Sequence, residues 1–196
     1  MNAPFKTPTA DLPLWDLSDL YAAKDDPRLK ADTEAARAAV AGMNALAGTL
    51  IAARGEPAVL GERLDRAITL YDQAADRLGA VGAYAFLDAS TRRDDASAQA
   101  FEADVRQSLT EISTPTVWLT LEINQLEEAE VEAGLAAHAP AARWRPWLRR
   151  VRAMKPHELS EELETFLAEQ MPVSAQWPRL FDETLAELRV KAGRDT

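Results

Sequence analysis

The sequence predicts an all-α protein, a bundle of long antiparallel amphipathic helices with shorter helices towards the C-terminus. Apolar residues recur at steps of three and four over long stretches, which places them on one face of a helix. The alternation of apolar and polar residues that is typical of a strand occurs nowhere in the sequence. Only 8 of the 196 residues are glycine, whereas Ala, Leu and Glu, which favour helices, are abundant.

The longest predicted helix covers residues 57–89, and the other helices are expected to align on it. Pro57 suits a first helical position, where its missing N–H loses no hydrogen bond. At about 1.5 Å per residue the helix is about 45–50 Å long. Its seam, the row of apolar residues along one face, is Leu60, Leu64, Ala67, Tyr71, Ala74, Leu78, Val81 and Ala85. Gly79 and Gly82 each weaken the helix by up to ~1 kcal/mol relative to Ala, and we expect them to allow close packing of a neighbour.

We expect the chain to have three parts: an extended leader over residues 1–13, a single helical domain over residues 14–192 and a short tail over residues 193–196. Near the start of the domain, four apolar residues are expected to pin the N-terminal segment to the core: Trp15, Leu17, Leu20 and Tyr21. Asp16 or Ser18 can cap a short helix there.

A second long helix is predicted over residues 27–52, with Pro27 at its start. Its seam residues are Leu29, Thr33, Ala36, Val40, Met43, Ala47 and Leu50. A short turn at Arg54, Gly55 and Glu56 joins this helix to the longest one. A connection this short predicts that the two helices pack antiparallel.

A third long helix is predicted to begin near Ala96. Its apolar stripe is Phe101, Val105, Leu109 and Ile112. Pro115 should kink or break it, because the proline ring clashes with the carbonyl four residues earlier. The helical pattern then resumes with Val117, Trp118, Leu121 and Ile123.

Two charged segments follow. Residues 127–132 are acidic and predict the start of a short helix, where negative charge is favourable. Residues 143–155 are basic, with Trp144 and Trp147 interleaved. Arginine and tryptophan together can mark contacts with nucleic acid or peptide. The sequence favours the alternative, a helix with buried tryptophans and a solvated basic side.

Two more helices are predicted at the C-terminal end. Pro156 ends the basic segment, and Ser160 can cap the next helix, whose apolar stripe is Leu163, Phe166, Leu167 and Met171. A turn is predicted at Met171 and Pro172. The last helix carries Trp177, Leu180, Phe181, Leu185 and Leu188.

Composition limits the classes of partner. The formal charge is −10, and such a chain repels the phosphates of nucleic acid. There are no cysteines, which excludes disulfides and thiolate chemistry and fits a reducing compartment. No signal peptide is expected, because the N-terminus lacks a basic region followed by an apolar run. No uninterrupted apolar stretch approaches 18 residues, so no membrane-spanning helix is expected either.

The sequence contains no complete catalytic or metal-binding motif, and we assign no catalytic, metal or cofactor residue. His157 and Glu158 begin like the zinc motif H-E-x-x-H, but Glu161 stands where the second histidine is needed. His138 has no partner nearby in sequence. Carboxylate pairs at helical spacing also occur, as expected of a chain with 32 acidic residues: Glu127 with Glu130, and Glu161 with Glu164.

Three segments, in this order, together resemble the N-terminal region of the oligoendopeptidase F family, the bacterial relatives of thimet oligopeptidase. Residues 15–21, W-D-L-S-D-L-Y, resemble the opening of the family. Residues 155–164, K-P-H-E-L-S-E-E-L-E, are similar to its P-H-x-L-S-x-x-x-E segment. Residues 177–183, W-P-R-L-F-D-E, are similar to its W-x-x-L-F-D-E helix.

This resemblance implies a cytoplasmic zinc metallopeptidase that hydrolyses short peptides in a deep groove. The family holds its zinc in a later domain with an H-E-x-x-H helix, whose glutamate activates the zinc-bound water. We expect this chain to lack that domain, and no residue matches the zinc ligands. The chain is therefore expected to be inactive alone and to form part of the groove wall. Its expected partners are the catalytic domain of the same parent protein and, in the full enzyme, oligopeptide substrates.

A second interpretation is a stand-alone helical module that binds a peptide or protein without enzymatic activity. The amphipathic helices and the basic, tryptophan-bearing segment favour it. In either case we expect exposed apolar surface where a partner docks, and some self-association of the isolated chain.

Overall fold

The computed structural model describes residues 16–93 and 95–188, apart from the side chains of residues 186 and 187. The described residues form nine α-helices with turns and short 3-10 helices between them and contain no strand, which confirms the all-α class. The α-helices are α1 Pro27–Asn44, α2 Thr49–Ala52, α3 Pro57–Thr91, α4 Ala96–Ser113, α5 Val117–Gln125, α6 Glu128–Ala137, α7 Arg145–Ala153, α8 Glu161–Ser174 and α9 Gln176–Glu187. The expected leader and tail lie outside the described residues, as does Trp15.

Helix α3 is the centre of the fold and packs against α1, α4 and α6. Its predicted seam faces the core. Six of the eight seam residues are buried, while Tyr71 and Leu78 are half-buried against the same core. Pro57 occupies the start of the helix as predicted. The larger core cluster joins α3 to α1, α2, α5, α6 and α7, and a smaller cluster lies towards the C-terminal end of α3.

The connection between α1 and α3 corrects one prediction. The second helix does not run to residue 52, because α1 ends at Asn44 and the short α2 begins only at Thr49. The physical reason is Gly48, whose left-handed backbone conformation with φ of 78° cannot continue a right-handed helix. Beside the break, the side chain of Asn44 accepts a hydrogen bond of 2.9 Å from Trp118 Nε1.

The antiparallel packing of α1 on α3 is as predicted. Asp32 of α1 lies 3.8 Å from Arg77 of α3, and Gly42, further along α1, lies against Leu70, earlier in α3. The tight connection between the two helices uses Gly55, whose φ of 83° is in the left-handed region that favours glycine.

One segment of the described chain, Pro27–Ala52, is long and apolar enough to cross a membrane by length and composition alone, since an 18-residue window within it has a mean hydropathy of 1.3. It is not one continuous helix here, since it is broken between α1 and α2. Ala36, Val40 and Met43 of α1 are buried in the core beside α3.

Two glycines of α3 let neighbouring helices approach closely. A Cβ atom on Gly61 would overlap the carbonyl oxygen of Gly134 in α6 and would lie 2.7 Å from the Cβ of His138. A Cβ on Gly82 would lie 2.9 Å from Leu109 Cδ1 in α4, which confirms the predicted role of Gly82. The same prediction is wrong for Gly79, because no atom lies within 4 Å of a Cβ placed there.

Replacing Gly79 with alanine should therefore raise the free energy of unfolding by about 0.5–1 kcal/mol, since alanine favours the helix and nothing obstructs its methyl group. Urea unfolding of the variant and the parent chain measures the difference. A variant less stable than the parent would show that this position has a neighbour after all.

The remaining predicted helices are present, with one shifted boundary. α4 ends before Pro115, which sits in a 3-10 turn, Thr114–Thr116, as the proline predicts. The predicted turn at Met171 and Pro172 is wrong. α8 continues through Pro172 to Ser174. The chain turns only at Ala175, whose N–H still donates to the carbonyl of Met171 over 3.0 Å.

Candidate functional site

The most unusual surface of the described chain is the outer side of its last two helices. We call it the C-terminal apolar face and define it as Leu163, Phe166, Leu167 and Met171 of α8 with Trp177, Leu180, Phe181 and Leu185 of α9. No residue of α8, and no described side chain of α9, is buried. Trp177 is 72% exposed and Met171 is 70% exposed. Exposed apolar patches of this extent mark interaction surfaces in soluble proteins.

The orientation of α8 explains the exposure. α8 packs against α4 and α5, and its half-buried residues include Thr165, Ala168 and Pro172. Its polar and small side therefore faces the body of the protein, and its apolar stripe faces away. α9 packs on α8 and leaves a cavity of about 750 Å³ beside α4, lined in part by Arg106 and Trp177.

The segment that leads into α8 is fixed by side-chain hydrogen bonds. Ser160 Oγ accepts from the N–H of Leu163 over 3.4 Å, which confirms the predicted cap. Glu164 accepts from the N–H of Leu159 over 3.1 Å. The buried amide of Asn124 donates to the carboxylate of Glu158. Residues of the 155–164 motif thus hold the start of α8 in place.

The structure gives the sequence-predicted histidines no shared site. His157 is exposed on a short 3-10 helix. His138 ends α6, and its Nε2 lies 3.7 Å from a carboxylate oxygen of Asp65. In the described residues, no group of three or more His, Cys, Asp or Glu side chains could hold a metal ion.

The predicted carboxylate pairs lie at helix starts. Glu127 and Glu130 form a capping box at the start of α6: each side chain accepts a hydrogen bond from the other's backbone N–H. Of the second pair, Glu161 lies in the first turn of α8, and Glu164 caps the segment before it. These contacts are structural ones at helix starts, where negative charge is favourable.

Part of the basic segment pairs with acidic residues of the same chain. Arg145 of α7 lies 2.9 Å from Glu132 of α6, and Arg152 lies 2.8 Å from Glu128, one turn earlier on α6. Arg152 also donates to the carbonyl of Ile123. These contacts favour the interpretation of this segment as a packed helix rather than as a nucleic-acid surface.

The two tryptophans of this segment are half-buried. The ring of Trp147 packs against Tyr71 of α3, with centroids 5.6 Å apart. Trp144 Nε1 donates to Asp65 over 2.8 Å, and Arg143 donates to the same carboxylate oxygen over 2.9 Å. Asp65 is therefore the acceptor that ties this segment to α3. Asp65 could not be predicted from the sequence, because nothing local connects residue 65 to residues 143 and 144.

The N-terminal anchor is confirmed for the described residues Leu17, Leu20 and Tyr21, which pack in the smaller core cluster. The hydroxyl of Tyr21 donates to Asp32 over 2.9 Å, and its ring meets Tyr84 edge to face. Burial, and secondarily the hydrogen bond to Asp32, raise the pKa of Tyr21 to about 12.

The cap of α1 is also charged. Asp26 accepts from the backbone N–H of Arg28 over 2.9 Å, and its carboxylate forms an ion pair with the Arg28 guanidinium over 2.8 Å. The side-chain hydrogen bond from Arg28, together with backbone N–H donors, lowers the pKa of Asp26 well below its usual range.

The described residues form a helical domain whose last two helices carry an exposed apolar face. A family model for the N-terminal domain of M3 peptidases, described as Oligopeptidase F, matches residues 122–189. Over residues 122–189 this match supports the resemblance to the N-terminal region of the oligoendopeptidase F family. It includes the second and third motif segments and all of α6, α7, α8 and α9. Comparison with curated proteins and with solved structures gave no match.

Proposed function

We propose that the chain is the non-catalytic N-terminal helical domain of an oligoendopeptidase F-like zinc metallopeptidase that hydrolyses short peptides. In this proposal the C-terminal apolar face docks on the catalytic domain, and the helical body forms part of the substrate-groove wall. One observation supports it above the others: the exposed apolar side chains are concentrated in α8 and α9, within the segment that matches the family. A cytoplasmic location and oligopeptide substrates follow from the family alone.

Zinc belongs to the catalytic domain in this proposal. The described residues do not fit a zinc site, because His157 has no second imidazole beside it and Glu158 is engaged by Asn124. When bound in the catalytic domain, zinc supplies an activated water for peptide hydrolysis. In this proposal the present chain supplies the surface that docks on the catalytic domain and part of the wall of the substrate groove.

The first test uses the purified chain alone. We expect substoichiometric zinc by metal analysis and no cleavage of quenched fluorescent peptides, because the described residues present no ligand set for the metal. Stoichiometric zinc together with turnover would overturn the proposal.

The second test measures docking on a separately expressed H-E-x-x-H domain of an oligopeptidase F enzyme. Phe181→Ser should weaken binding at least tenfold, because central aromatic residues dominate interface energies. Phe86→Ser is the matched control, since Phe86 is a similarly exposed phenylalanine on α3, at 56% against 63% for Phe181. Equal effects of the two substitutions, or no binding by the parent chain, would contradict the docking role.

The alternative of a stand-alone binding module would use the same exposed face. The reading frame beyond Thr196 separates the two functions. A frame that continues into an H-E-x-x-H segment supports the peptidase proposal, whereas a stop codon directly after Thr196 favours the stand-alone module.

A further inference from the structure

We propose that the C-terminal apolar face is built for a polypeptide surface that is apolar at its centre and edged with lysine and arginine. The inference takes from the proposed function only that a polypeptide covers this face. It adds the chemistry of the covering surface, which the family match does not supply. The charges that flank the apolar stripes of α8 and α9 support this inference.

On α8 the apolar stripe has acidic residues on both flanks. With about 3.6 residues per turn, Glu162 and Glu169 lie along one edge of the stripe and Glu164 along the other. The structure agrees, since Glu162 and Glu169 line a shallow surface hollow together with Leu163 and Phe166. Both glutamates are exposed.

On α9 the arrangement repeats. Asp182 and Glu183 fall on opposite edges of its stripe by the same helical spacing, and their side chains are 53% and 51% exposed. The α8 and α9 sequences together contain seven acidic residues and one arginine, a formal charge of −6. That arginine, Arg179, lies 2.7 Å from Glu183, and Arg93 lies 3.8 Å from Asp182.

Exposed apolar surface alone predicts some self-association, but the charges of this face make a second copy of the chain a poor occupant. A two-fold dimer would place the same patch on both sides of the interface, so two surfaces of like charge would meet, which is unfavourable. Basic side chains edging an apolar surface would instead complement the acidic flanks. The chain itself uses this pairing where Arg145 and Arg152 of α7 meet Glu132 and Glu128 of α6.

The test uses two synthetic helical peptides with identical leucine faces. One peptide has lysines along both edges of that face, and the other has glutamates. Calorimetric titration of the full chain at low salt should give a dissociation constant at least tenfold lower for the lysine-edged peptide. The preference should shrink at about 1 M salt, where the screening length falls to about 3 Å.

Paired charge reversals separate the face from the net charge of the chain. The double variant Glu162→Lys with Glu169→Lys should lose at least tenfold of the lysine preference. The matched control is Glu34→Lys with Asp76→Lys, which changes the net charge by the same amount at exposed positions of α1 and α3. This control should retain most of the preference for the lysine-edged peptide. Phe166→Ser should weaken both peptides alike.

Several results would overturn the inference. These are equal affinity for the two peptides, no binding of either, or equal loss of preference in the two double variants. Dimerisation of the chain at low salt, measured by sedimentation, would also overturn it, because it would make a second copy the better occupant. A lysine-edged peptide that binds as expected, combined with a catalytic domain that does not, would sustain this inference and refute only the proposed function.

Discussion

Replacing Gly61 with alanine should lower the free energy of unfolding by about 3 kcal/mol. The added Cβ would overlap the carbonyl oxygen of Gly134 and lie 2.7 Å from the Cβ of His138. Both obstacles are backbone or first side-chain atoms, which cannot swing aside, so α3 and α6 must separate. Overpacking of this kind costs about 1–3 kcal/mol, occasionally more. Thermal melting should show a midpoint lower by about 6–12 °C, given about 2–4 °C per kcal/mol at this chain length.

Gly79→Ala is the matched control for that experiment, because it makes the same substitution in the same helix at an open position. Its expected small stabilisation gives the intrinsic effect of alanine in α3. A Gly61→Ala variant as stable as Gly79→Ala would show that α6 can move away from α3 at little cost, which would contradict the close crossing.

The same crossing sets the position of the segment that matches the family. Gly134 lies in α6, and α6 supplies Glu128 and Glu132, the ion-pair partners of α7. A displaced α6 should therefore loosen α7 as well. We expect the indole fluorescence of Gly61→Ala to differ from that of Gly79→Ala, because Trp144 is held between α3 and α7 by its bond to Asp65.

The helices could be predicted from the sequence, since periodicity and caps are local properties. The seam of α3 is buried as expected, and Ser160 caps α8. The end of α1 could not be predicted. The apolar spacing continues through Ala47 and Leu50, and this spacing does not reveal the left-handed conformation of Gly48 that breaks the helix.

The candidate site could be predicted only in part. Periodicity shows that Leu163, Phe166 and Met171 share one side of a helix, but it does not show whether a neighbour covers that side. The local spacing of residues also does not predict contacts between distant segments, such as that of Gly61 with Gly134. The sequence motifs indicated the family, and only the packing of α8 showed that its apolar side faces outward.

Raising the pH from 10 to 12 should destabilise the chain, with Tyr21 responsible for about 2–3 kcal/mol of the loss. A tyrosine in the unfolded chain ionises near pH 10, whereas folded Tyr21 keeps its proton until about pH 12. Between these values the unfolded state binds fewer protons, so stability falls as pH rises. The contribution is complete below pH 10 and is lost through pH 12, at about 1.4 kcal/mol per pKa unit.

Urea unfolding across this pH range, for the parent chain and Tyr21→Phe, measures the effect. The variant should lose about 1 kcal/mol at neutral pH with the hydrogen bond to Asp32, and its stability should decline less steeply above pH 10. Some decline in stability should remain in Tyr21→Phe, because burial also raises the pKa of Tyr84.

A second variant, Asp32→Asn, should move the end of the decline in stability to lower pH, since it removes the carboxylate that holds the proton on Tyr21. Parallel profiles for the parent and Tyr21→Phe would show that this hydroxyl ionises as freely in the folded protein as in the unfolded chain, and that the N-terminal segment is not anchored through it.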